Sequence, residues 1–192
     1  MMIARRTTQP AEEPITLAEA KVHLRVDHSD EDSYITGLIT AARLMCEHRT
    51  WRTLITSGWT AKADDFASVL ELPFPPLVSV TSVSYVDVYG DTQVIDPSAY
   101  RVDEYSEPPR IVPVTEWPIA DDRINSVTVV YTAGYGGASS VPTPLKQWML
   151  LAIGDMYEKR TASDKAASAA INATVSHSFV DGLLSAYKIM PV

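Results

Sequence analysis

Helical spacing of apolar residues stops at Trp51 and returns only beyond Pro142, so this chain has to fold as helices interrupted by a long run of strands. Before the break, Ile35, Leu38, Ile39, Ala42, Met45, Cys46 and Arg49 recur at three- and four-residue steps, which predicts one apolar stripe along a helix of about five turns. Ser29 or Asp30 is its expected cap, and Glu31 and Asp32 set negative charge at the positive end of the helix dipole. A shorter helix comes first. Thr16, Leu17, Ala18 and Glu19 form a capping-box pattern, in which hydroxyl and carboxylate each satisfy an amide left unpaired at a helix start, and the helix should run to about Arg25. After the break, Thr143 as cap and Pro144 at the first helical position open a third helix bearing Leu145, Trp148, Met149, Ala152, Met156 and Tyr157, ending near Arg160.

The middle reads as β. Strands are expected near Leu54 to Thr60, Ser68 to Leu72, Val78 to Tyr89, Thr92 to Ile95, Tyr100 to Val102, Arg110 to Val112 and Ser126 to Thr132, with Gly90-Asp91 as a tight hairpin turn. In the longest of these the alternation changes phase, since Val78 and Val80 belong to one set and Val83 and Tyr85 to the other. A bulge near Thr81-Ser82 reconciles the two sets. Pro73, Pro75 and Pro76 cannot donate to a ladder and mark an extended connection or a sheet edge.

These elements give an α+β expectation: a helical bundle made of two N-terminal helices plus a long helix after the insertion, with a C-terminal docking segment and an inserted, mainly antiparallel β region. Its helical core is expected in Ile35, Leu38, Ile39, Ala42, Cys46, Leu145, Trp148, Met149, Ala152 and Met156. Along the chain this divides into a flexible arm (1–14), a first part of the helical core (15–51), the β insertion (52–141) and a second part of the core (142–160). An Ala/Ser-rich linker (161–175) and a docking segment (176–192) complete the chain. The docking assignment rests on Phe179, Val180, Leu183, Leu184, Tyr187, Ile189 and Met190, which are too apolar together for a free tail in water and have to pack on their own bundle or on a neighbouring chain.

Composition narrows the classes of function. At 192 residues and 46% hydrophobic content the chain can bury a real core, and its single cysteine, Cys46, rules out an internal disulfide and a structural zinc cluster. Sixteen basic against 24 acidic residues give a formal charge of −8, so the average surface repels phosphate backbones. No segment approaches the roughly 18 uninterrupted apolar residues of a membrane span, and no apolar stretch comes after Arg5 and Arg6.

The residue types that carry catalysis fall in places with simpler explanations. His23 and His28 lie near Asp27, Asp30, Glu31 and Asp32, but acids before a helix already serve its dipole. His48 suits a helix C-terminus, His177 has no partner in register, and Cys46 sits on the apolar stripe as a small hydrophobe. The Gly134, Tyr135, Gly136, Gly137 run lacks the Lys and Ser/Thr of a phosphate loop and reads as a turn. Asp64-Asp65 and Asp121-Asp122 sit in turn-like sequence, and Trp117, Tyr131, Tyr135 and Trp148 lack the flanking cations of a base-stacking platform. No catalytic residue, metal or cofactor is expected. Two rival readings are a phage-encoded enzyme with an unrecognised site and a small DNA-binding regulatory module that uses the first two helices; acids at the start of the second helix count against the latter.

Taken together, ITLAEAKVHLRVD (Ile15 to Asp27), DEDSYITGLITAAR (Asp30 to Arg43), EHRTWRTLIT (Glu47 to Thr56) and LPFPPLVSVTSVSYVD (Leu72 to Asp87) resemble the phage head-tail connector, or adaptor, family, in particular its subgroup with a β insertion in a helical connector fold. YRVD (Tyr100 to Asp103), PPRI (Pro108 to Ile111), YTAGYG (Tyr131 to Gly136) and VPTPLKQWMLLAIGDMYEKR (Val141 to Arg160) extend the likeness, with DGLLSAY (Asp181 to Tyr187) beyond the linker. Trp51 departs from the family, which more often has Gly there. The resemblance implies a structural virion protein, not an enzyme. It implies a homo-oligomeric ring, a dodecamer, bound beneath the portal protein at the neck between capsid and tail and assembled in the host bacterial cytoplasm. The ring would meet a stopper or tail terminator protein and let DNA pass through its lumen without sequence-specific binding; no membrane is involved.

Overall fold

The computed structural model describes residues 2–159 and 177–189; the expected linker, 161–175, and Met190 lie outside the described residues. The fold is α+β, and the chain forms two compact units. Of the described residues, one contains those up to 11 together with 51–136, the other 12–50, 137–159 and 177–189.

The first unit is built on antiparallel sheets. Its strands are β1 (Ile3–Thr8), β2 (Ser57–Ala63), β3 (Leu70–Glu71), β4 (Leu77–Val86), β5 (Thr92–Val94), β6 (Tyr100–Asp103), β7 (Arg110–Pro113) and β8 (Val127–Ala133). They form a five-stranded sheet in the order β1-β2-β8-β4-β5 and a three-stranded sheet in the order β3-β7-β6. β8 is central and alternates strictly, burying Val127, Val129, Tyr131 and Ala133, while β2 buries Ser57, Trp59 and Ala61. Leu70, Leu72, Val83 and Ile111 close the same core. Tyr131 is wholly inside it, its hydroxyl donating to the Pro73 carbonyl at 2.6 Å, and burial pushes its titration upward.

The ladder between β4 and β8 slips between Val80 and Ser82, where the phase change in the sequence places a bulge, and again between Leu77 and Ser79. The N-terminal stretch departs from expectation. Ile3–Thr8 is not part of a flexible arm but a strand laid on β2, with Ile3 opposite Lys62 and Arg6 opposite Trp59. The Arg6 guanidinium lies 4.8 Å from the centroid of Trp59, and Met2 joins the core. The strand expected from Leu54 begins only at Ser57; Leu54 and Ile55 are buried in a connection instead.

Arg52 is buried in this unit and grips Glu107 with two nitrogens, Nη1 to Oε1 at 2.7 Å and Nη2 to Oε2. The Arg52 hydrogen bond holds the Glu107 carboxyl below the usual value of 4.5. A depressed folded-state value stabilises the fold above the unfolded value, and that contribution is lost as pH falls through the depressed one. The acid limb of urea stability should therefore be flatter in Glu107→Gln than in the parent below pH of about 4.5; superimposable limbs would remove this role.

The second unit is helical: α1 (Leu17–Leu24), α2 (Asp32–Thr50), α3 (Thr143–Glu158) and α4 (His177–Ser185). α2 packs on α3, α1 touches both, and α4 packs on α3. The capping box of α1 is complete, with the Glu19 amide donating to Thr16 Oγ1 at 3.2 Å and the Thr16 amide to Glu19 Oε2 at 2.7 Å. At the start of α3, Pro142 rather than Thr143 occupies the cap, and Thr143 is already helical; the amide of Leu145 donates to the Pro142 carbonyl at 3.0 Å. Ile35, Leu38, Ile39, Ala42, Cys46, Leu145, Trp148 and Met149 are buried, whereas Ala152 and Met156 are half-buried and Ile153 lies fully inside. Met45 faces outward, and Arg43 and Glu47 share the buried face. No helix among the described residues is long and apolar enough to cross a membrane.

Candidate interaction surfaces

The polar clusters singled out in the sequence serve local structure. The Asp64 carboxylate accepts the Asn125 amide at 2.7 Å, and Asp121 lies 3.8 Å from Arg123. His28 lies 4.0 Å from Asp30, and no group of three or more metal-ligating side chains is found among the described residues. Burial pushes the Cys46 thiol up to about 12, so a thiolate nucleophile is not available there. Gly134 has φ +135° and closes a turn, its amide donating to the Pro76 carbonyl at 2.8 Å; no phosphate cradle precedes a helix there.

A different charged group is buried in the helical unit. Arg43 of α2 donates through Nε to Glu13 Oε2 at 2.7 Å and through Nη1 to Glu47 Oε2 at 3.1 Å, and the Thr40 hydroxyl donates to Glu13 at 2.9 Å. Arg49 lies 5.4 Å from the ring centroid of Trp148 on α3. The Tyr157 hydroxyl meets Glu31, and its ring lies 6.1 Å from that of Tyr34, so the end of α3 is fastened to the start of α2. These contacts hold the helices in register.

The C-terminal segment has two kinds of residue. Leu184 is fully buried within the helical unit, and the Ile189 amide donates to the Thr50 carbonyl at 3.1 Å, so the segment is tied to its own subunit. Val180, Leu183, Tyr187 and Ile189 remain half-buried; Phe179 lies in α4.

The sheet unit exposes two tyrosines on hydrogen-bonded turns: the hairpin turn expected at Gly90-Asp91 begins earlier, because β4 ends at Val86 and leaves Tyr89 in the turn, and a second turn carries Tyr105. Tyr89, 88% exposed, comes two residues after Asp87, whose Oδ1 accepts the amides of Tyr89 and Asp91 at 3.0 Å while Oδ2 accepts Gln93 at 2.8 Å. Tyr105, fully exposed, comes two residues after Asp103, which accepts the amides of Tyr105 and Ser106 and pairs with Arg110 at 2.9 Å. These bonds, that of the Ser106 hydroxyl foremost, bring the Asp103 carboxyl down to about 2. An Asp two residues before an exposed aromatic is the sequence signal that could have found both.

Comparison with known proteins agrees with the resemblance. Residues 14–83 match the model of the family described as phage gp6-like head-tail connector protein. Among curated proteins no significant match is found. Among solved structures, a chain from the virion of a native gene transfer agent particle superposes with a TM-score of 0.80 at 24% identity, covering 99% of this chain and 97% of that one. Chains from the neck of the empty particle, computed with C6 symmetry, and of the native particle, computed with C12 symmetry, superpose with TM-scores of 0.79 and 0.74, each at 23% identity with the same coverage. The likeness to the connector family thus stands in the sequence of residues 14–83, and the likeness to the gene transfer agent chains in a fold shared over the length of the chain.

Proposed function

We propose that this chain is a head-tail connector subunit of a tailed virion or virion-like particle, a structural neck protein and not an enzyme. Copies assemble into a closed ring beneath the portal, twelve in number, in keeping with the C12 symmetry of one neck whose chain it resembles. The ring lengthens the DNA channel and offers the platform for a stopper or tail terminator. Cyclic closure by head-to-tail contacts requires each subunit to present two different complementary faces. A formal charge of −8 suits a passage that DNA traverses without a sequence-specific grip. Assembly takes place in the host cytoplasm, and the finished protein resides in the neck.

The observation that carries this reading is the coincidence of the family match over residues 14–83 with a fold that overlays neck chains along 99% of the sequence. In it, 15–51 and 142–160 act as the connector core, 52–141 as the β insertion, 161–175 as a linker and 176–192 as the portal-docking segment. Electron microscopy of the purified chain, alone and mixed with its portal, should reveal closed twelve-fold rings seated on the portal. A compact monomer that ignores the portal, or that turns over a small compound, overturns the reading.

Within the docking segment, the residues proposed to meet the portal are Phe179, Val180, Leu183, Tyr187, Ile189 and Met190. Leu184 has another task, since its side chain already fills the interior of its own unit. Removing 176–192 would therefore expose α3 as well as abolish docking, and point changes separate the two effects. Leu183→Ser with Ile189→Ser should keep the helical circular dichroism of the parent while retention on portal-bearing heads falls at least about tenfold. Parent-level retention would remove the segment from the portal contact.

A further inference from the structure

At one end of the five-stranded sheet the chain gathers loops that carry both exposed apolar residues and an excess of carboxylates. The register puts Ala63 of β2, Tyr85 of β4 and Val127 of β8 level with one another, with Val86 opposite Thr92 and Ile3 opposite Lys62. The turns beyond these residues therefore emerge together. The Asp121 amide donates to the Val86 carbonyl at 2.8 Å, which ties the 114–126 loop to the root of the β4–β5 hairpin. Phe66 stacks on Trp117 with centroids 4.8 Å apart and meets Tyr85 edge-on, which ties in the loop after β2.

On this end Val88, Tyr89, Ile119 and Ile124 stand in water, the last two 81% and 78% exposed. The strand ends and loops at this end also carry Asp64, Asp65, Asp87, Asp91, Asp121 and Asp122, against Lys62 and Arg123. The hairpin tip is held by the three hydrogen bonds to Asp87, so an occupant would order little on binding. An exposed aromatic on a fixed turn, with aliphatic neighbours and a charged rim, has the anatomy of a binding hot spot.

We propose that this sheet end is a protein-docking surface for a basic face carrying an apolar recess, and that in the neck this face belongs to the component that joins the ring on its tail side. The inference rests on the connector reading above. Charge selects the occupant. The same end of a second copy would set carboxylates against carboxylates, and the chain's formal charge of −8 makes its other surfaces poor complements on average. Nucleic acid is repelled by the same carboxylates. The portal already has its docking segment in this reading.

Heads bearing the wild-type ring, mixed with separately purified tails of the same particle, provide the assay, with joined particles counted by electron microscopy. Asp91→Lys with Asp122→Lys changes exposed carboxylates without touching the core. It should leave the ring on the heads and slow joining about tenfold at low salt, the gap narrowing as salt rises. Tyr89→Ala should lower joining at least about tenfold at every salt concentration. Parent-level joining by both variants overturns the inference while leaving the connector reading intact; a wild-type chain that never mounts on heads overturns the connector reading itself. A tip that instead binds copies of the chain would appear as variants that fail to form rings, and this outcome also refutes the assignment.

Discussion

Replacing Gly134 by alanine should unfold the sheet unit, at a cost on the order of 4 kcal/mol or more. The residue sits at φ +135°, a region that side-chain-bearing residues rarely adopt, and a Cβ there would lie 2.6 Å from the Thr56 nitrogen and 2.7 Å from both the Ile55 carbonyl carbon and the Thr56 Cα. All three are backbone atoms, so no rotamer change relieves the clash. Nor can the backbone retreat. The Gly134 amide donates to Pro76 at 2.8 Å, Tyr135 to Leu54 at 3.1 Å and Thr56 to Gly136 at 3.0 Å, which clamps the two segments together. Gly37 of α2 is the natural control, because a Cβ there meets nothing within 4 Å, so Gly37→Ala should stabilise by about 0.5–1 kcal/mol through helix propensity. Urea denaturation of both variants checks the pair. A Gly134→Ala protein within about 1 kcal/mol of the parent would show that the turn yields.

How far the fold can be read in advance depends on how local its causes are. The capping box at Thr16 and Glu19 involves residues three apart, and the alternation of Val127, Val129 and Tyr131 needs no knowledge of the partner strand; both are legible in the sequence. β1 is not. Its sequence, Ile-Ala-Arg-Arg-Thr-Thr, looks like a polar arm, and it becomes a strand because β2 offers a ladder and Trp59 offers a ring face for Arg6. The run Leu54-Ile55 misleads in the opposite direction, since its burial comes from a turn closed by Gly134 and Tyr135, far along the chain, rather than from a ladder of its own. For the candidate surfaces, the apolar C-terminal residues are plain in sequence, but which of them faces inward depends on α3, and the structure singles out Leu184. The tyrosine turns are hidden for another reason: Asp87 and Asp103 look like ordinary turn acids until their hydrogen bonds are seen to fix the backbone at Tyr89 and Tyr105.

The buried charges of α2 are the least local feature of all, and they lead to the second large effect. Arg43 and Glu47 are four apart, the spacing of a solvent-exposed helix pair, yet their side chains are 5% and 8% exposed. Glu13, thirty residues earlier in the chain, completes the group, so the burial of Arg43 is decided by a carboxylate that no local pattern announces. One guanidinium between two carboxylates gains from both, and removing it takes that cation from the buried Glu47 and the half-buried Glu13 alike. Arg43→Met, which keeps much of the side-chain volume, should therefore destabilise the helical unit by about 3–5 kcal/mol. The cost is that of the lost guanidinium between two carboxylates rather than of lost packing, and the double variant Arg43→Met with Glu47→Leu tests this directly. It removes the more deeply buried carboxylate, leaves Glu13 its Thr40 hydrogen bond and its partial access to water, and should recover well over half of the loss. Equal destabilisation of the single and double variants in urea would mean that the helices are held by shape at this point and not by the ion group.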